Sequence, residues 1–88
     1  MKYRVKLFKK LLAKYPNIPL TRVIEYEEYT LFSFGSKLLD PSVTIYPNDI
    51  QQVELTFYQF DKDNNYCPDA NMMDMVDAIA LLNLYFYD

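Results

Sequence analysis

The sequence predicts an α+β domain in which an antiparallel sheet of three or four strands packs against one helix at each end of the chain, in the order α-β-β-β-α. Three stretches carry this reading. VELTFYQF (53–60) alternates Val53, Leu55 and Phe57 with Glu54, Thr56 and Tyr58, the period of a half-buried strand. YRVKLFKKLLAKY (3–15) and MMDMVDAIALLNLYF (72–86) both carry apolar residues at helical spacing. All 88 residues, with 51% apolar and a single glycine, fit one domain without a disordered tail.

In the first helix, Val5, Phe8, Leu11, Leu12 and Tyr15 form one stripe and Arg4, Lys6, Lys9, Lys10 and Lys14 cover the rest, until Pro16 and Pro19 stop it. Such a basic helix can lie on a membrane or on nucleic acid, through a face such as Lys9, Lys10 and Lys14. The simpler reading is a helix with its apolar stripe on a sheet and its lysines in water. Residues 22–34 are dense in β-branched and aromatic types and end at Gly35. As one strand they would span about 43 Å, too long for so small a domain, so a break at Glu27 and Glu28, either a tight turn or a bulged bend, divides them into strands near 22–26 and 29–34.

Residues 36–52 read as an exposed excursion punctuated by Asp40-Pro41, Tyr46-Pro47 and Asn48-Asp49, with a brief edge strand at 43–46. The strand at 53–60 follows as the centre of the sheet. Residues 61–65, DKDNN, then make a turn. Tyr66 and Cys67 begin a return that Pro68 ends, Asn71 caps the last helix, and Met72, Met75, Val76, Ile79, Leu82 and Phe86 form its core stripe. Beyond Asp77 that helix is apolar on nearly every side, so either both faces are covered or one is left for a partner.

Several chemistries are excluded by composition. With no histidine, Ser-His, Cys-His and His-metal sites cannot be built from this chain alone, and one glycine cannot make a phosphate-binding loop. Cys67 is the only cysteine, so no disulfide can form within the chain, which fits a reducing cytoplasm. Lysines interrupt the N-terminal apolar residues, against a secretory signal, and no window approaches the ~18 apolar residues of a membrane span. Asp61, Asp63 and Asn65 match three positions of a calcium loop. Tyr66 stands where that loop needs Gly and Met72 where it needs Glu, so the residues read as a turn and no metal is expected. Asp74 and Asp77 could pair for acid-base work, but two aspartates in a helix's first turn serve its dipole without any cleft. No cofactor is expected.

Charge divides the chain. Residues 1–39 hold eight bases and three acids, net +5, and residues 40–88 hold one base and nine acids, net −8. A basic helix, KYPN (14–17), the strand-bend-strand VIEYEEYTLFSF (23–34) and a later strand closing in DKDNN resemble small uncharacterised proteins of Gram-positive phages and mobile elements, over roughly residues 10–65. The resemblance implies such an origin and brings no catalytic residues with it.

The functional expectation is a non-enzymatic protein-binding module, an inhibitor of a host or competitor protein. Its acidic surface, Asp61, Asp63, Asp69, Asp74 and Asp77, would face a basic nucleic-acid-binding groove. The alternative is a structural or assembly protein, a virion component or a homodimer. Its contact would use Tyr46, Leu81, Tyr85 and Tyr87, the aromatic and apolar residues, with Phe86, left over from the core.

Overall fold

The computed structural model describes residues 2–47 and 52–87, and runs α1 (Lys2–Leu12), β1 (Leu20–Glu25), β2 (Thr30–Phe34), β3 (Ser42–Ile45), β4 (Val53–Phe60), β5 (Tyr66–Met73) and α2 (Met75–Tyr85). The five strands form one antiparallel sheet in chain order. This is an α+β fold, with one strand more than the largest number expected from sequence.

Side-chain alternation decides which face of the sheet is dry. Phe32 and Phe34 of β2, Val43 and Ile45 of β3, and Val53 and Leu55 of β4 point the same way and are buried. Against them lie Val5, Phe8 and Leu12 of α1 and Ala78, Ile79 and Leu82 of α2, so both helices cover one face. Phe8 meets Phe32 edge to face, with ring centroids 4.9 Å apart, the arrangement that aromatic quadrupoles favour. Both helices start at the same end of the strands. The Arg4 guanidinium donates to the carbonyls of Tyr46 (2.8 Å) and Gln52 (2.7 Å), while α2 begins just after Met73, the residue opposite Val53.

The break expected at Glu27 and Glu28 is a hairpin turn, closed by the Tyr26 amide donating to the Tyr29 carbonyl at 2.8 Å. α1 ends at Leu12, three residues early: the Lys14 and Tyr15 amides turn to carbonyls three residues back, Leu11 and Leu12, and Pro16 has no amide with which to continue the helix. The segment read as a brief edge strand at 43–46 is instead β3, the middle of the sheet, with all four residues buried. The strand at 53–60 has the expected alternation but lies fourth of five, not at the centre. Ser42 and Thr44 face away from the helices, yet they are buried, being small side chains on a strand with a neighbour on each side. The Tyr58 hydroxyl lies 2.8 Å from that of Ser42. The Asn48-Asp49 turn lies outside the described residues.

The fifth strand is β5. Pro68 does not end it, since an edge strand tolerates a proline that an inner strand would not. Residues 71–73 therefore belong to the sheet. The helix cap is Asp74 rather than Asn71, Met72 is exposed on β5, and Val76 lies on the outer side of α2 instead of in its core stripe.

Gly35 has φ +71°, and a Cβ there would overlap the Asp40 carboxylate, which is held by the Lys37 amide (2.8 Å) and the Tyr85 hydroxyl (3.1 Å). Gly35→Ala is therefore expected to destabilise by about 1–3 kcal/mol and lower Tm by roughly 5–15 °C in thermal unfolding; an unchanged Tm would contradict this geometry. Thr30 is fully buried, and its hydroxyl has no hydrogen-bond partner among the described residues. Thr30→Val keeps the shape and removes an unpaired polar atom, so Tm is expected to rise, by about 1 kcal/mol of added stability; a fall would contradict the absence of a partner.

Candidate interaction surface

The acidic residues singled out in the sequence are all exposed and follow one edge of the molecule. Asp61 and Asp63 occupy the β4–β5 turn, Asp69 lies midway along β5, Asp74 precedes α2, and Asp77 is in its first turn. Asp61 is a turn residue. Its Oδ1 accepts from the amides of Asp63 (2.8 Å) and Asn65 (2.9 Å), and these bonds, the one from Asn65 foremost, hold its carboxyl below the usual value. Asn64 takes the left-handed conformation the turn needs, φ 63°. No group of three or more Cys, Asp or Glu among the described residues is placed to hold a metal ion.

Asp69 sits opposite Phe57 on the helix-covered side of the sheet, and its Oδ1 accepts from the Asn71 side chain at 3.2 Å. Asp74 makes no side-chain cap bond, and with Asp77 it places negative charge at the positive end of the α2 dipole. Cys67, on the same strand, is half-buried.

Of the aromatic and apolar residues, Tyr46 is drawn into the fold. It is half-buried, lies against Tyr29 with the rings tilted by 48°, and donates its hydroxyl to Glu54 Oε1 at 2.9 Å. That bond, then burial, raises its pKa above the ordinary value, so it stays a neutral donor well beyond neutral pH. Tyr85 rests on Phe57 and Phe86 and donates to Asp40 Oδ1; burial and then this bond raise its pKa as well. Phe86 packs against the core rather than being left over. Leu81 and Tyr87 are exposed.

The structure adds two residues that the sequence reading missed. Val76 is 69% exposed and Leu84 71%, on the side of α2 opposite Ala78, Ile79 and Leu82. With Ala80 between them they are spaced four apart, a row whose offset from the buried stripe was available in the sequence once the helix start was known. The far face of the sheet carries a second aromatic group, Tyr58 stacked on Tyr66 at 5.6 Å with Phe60 edge-on. No described helix is long and apolar enough to cross a membrane. Comparison with family models, with curated proteins and with solved structures gave no match to this chain.

Two sides of α2 are distinguished by their contacts. The Asn83 side chain accepts from Asn17, in the segment that follows α1, at 2.7 Å, so the Asn83 side of α2 looks toward α1. The row Asp77–Leu81–Tyr85 ends on Phe57, the neighbour of Asp69, and so looks toward β5. The outer surface of the helix layer thus passes from the exposed Lys6 and Lys10 of α1, over an apolar band on α2, to the carboxylates of Asp77 and Asp69.

Proposed function

We propose that this chain is a non-enzymatic protein-binding module and that the outer face of α2 is its contact. One observation carries the reading: Val76 and Leu84 are 69 and 71% exposed on a helix whose only acidic residue is Asp77, and Tyr87, just beyond its end, is 73% exposed. Full burial of each such side chain is worth about 1.5–3 kcal/mol, comparable in sum to the ~4–13 kcal/mol that stabilises a domain of this size. A band of that value left in water is an interaction surface rather than a scatter of exposed residues.

A second reading is favoured by the placement of Asp61, Asp63, Asp69, Asp74 and Asp77 along one edge. They would present a line of negative charge to a basic groove, as an inhibitor of a nucleic-acid-binding protein does. In either case we place the protein in the cytoplasm of a cell that hosts a phage or mobile element, the origin that the sequence resemblance implies. The α2 reading ranks first because acidic side chains in water cost little, whereas exposed apolar residues that adjoin on one helix face mark a contact.

A photo-activated cross-linking residue substituted at Leu84 tests the assignment inside cells. The expected result is capture of a protein, whatever its identity, from position 84 and none from Gln59, which is exposed on the β4–β5 hairpin. Capture from Gln59 alone would contradict it.

A further inference from the structure

Building on that contact face, we infer that its occupant is a second copy of this chain, packed about a two-fold axis that runs along α2. The helix layer has a basic flank (Lys6 and Lys10 of α1), an apolar band (Val76, Ala80 and Leu84) and an acidic flank (Asp77 and Asp69). Two copies facing one another across this layer are related by an axis lying in the contact plane. If the axis runs along α2, left and right exchange: the basic flank of each copy meets the acidic flank of the other, and apolar band meets apolar band. If it runs across α2, bases meet bases and acids meet acids. The charge split therefore selects the first arrangement, with the two α2 helices parallel, and it makes the face complementary to itself.

Size is compatible with this packing. The chain's principal extents are 40 × 30 × 20 Å, so a broad face has room for the ~800 Å² per partner of a standard interface. Both α1 and α2 start at the same end of the sheet, so Lys6 and Asp77, each near the start of its helix, lie at similar heights and come opposite one another across the axis.

Sedimentation equilibrium of the purified chain tests the proposal. The wild type is expected to form a dimer that weakens with added salt. Leu84→Asp, which alters a side chain that makes no core contact, is expected to be monomeric with an unchanged far-UV spectrum. Reversing one flank, by Lys6→Glu with Lys10→Glu or by Asp69→Lys with Asp77→Lys, is expected to raise Kd at least tenfold. An equimolar mixture of the two reversed chains should recover dimer, because each flank again meets its opposite.

A monomeric wild type, or a dimer insensitive to Leu84→Asp, would overturn the second copy. So would a dimer that both reversals leave unchanged, since that is the behaviour of like flanks facing each other. If the wild type is monomeric while a cross-linker at position 84 still captures a different protein, the self-association is refuted and the contact face stands; no capture at position 84 refutes the face itself.

Discussion

The arrangement depends on burial of one face of three strands. Phe32, Val43, Ile45, Val53 and Leu55 occupy the middle of the sheet, and Phe8 of α1 and Leu82 of α2 close over them. A chain this short has too few apolar residues to cover both faces and both edges, so coverage is spent where strands have two neighbours. The consequences run outward. β1 and β5 are thinly covered, the far face relies on small hydroxyl residues sheltered by tyrosines, and the helices meet water with whatever the core does not require. On α1 that remainder is lysine and one tyrosine, Tyr3; on α2 it is Val76, Ala80, Leu81 and Leu84.

That asymmetry between the helices links fold to function. An outer helix face costs nothing when it is charged, and α1 follows this rule at Lys6, Lys9 and Lys10, though not at the exposed Tyr3. α2 breaks it over its whole length, with basic and acidic flanks on either side. The tyrosines divide in the same sense. Tyr46 and Tyr58 use their hydroxyls inside the fold, on Glu54 and on Ser42, whereas Tyr87 stands clear of it. Much of what lies outside the structural requirement is on the helix layer and along the β5 edge, with Leu38 of the β2–β3 connection exposed apart from both.

Much of this was legible in the residues because local and tertiary preferences agree. The period-two alternation in 53–60, the stripe of Val5, Phe8 and Leu12, the turn chemistry of Asp61 and Asn64, and the acidic break between β1 and β2 needed no knowledge of neighbours. β3 was illegible as a central strand since its four residues, two of them Ser and Thr, derive their burial from β2 and β4 rather than from their own hydropathy. β5 was hidden by Pro68 and by residues such as Asp69 and Asn71, which only an uncovered edge can accept. Losing that strand moved the start of α2 by three residues, nearly a full turn. Met72, read as the first member of the helix stripe, shares a helical face with Val76 four residues on and so drew it inward; with Met72 in β5 that support disappears. The acidic edge was readable as composition; its alignment along one side exists only once β5 is in place.

The claim on which fold and surface both rest is that residues 42–45 form the middle of the sheet. Backbone amide hydrogen exchange measures this directly, because every amide of a middle strand can find a partner whereas alternate amides of an edge strand are open to water. The expected result is that the amides of Val43, Thr44 and Ile45 exchange together among the slowest in the chain, while alternate amides of β1 and β5 exchange much faster. Rapid exchange of every second amide in 42–45, the signature of an edge, would contradict the account.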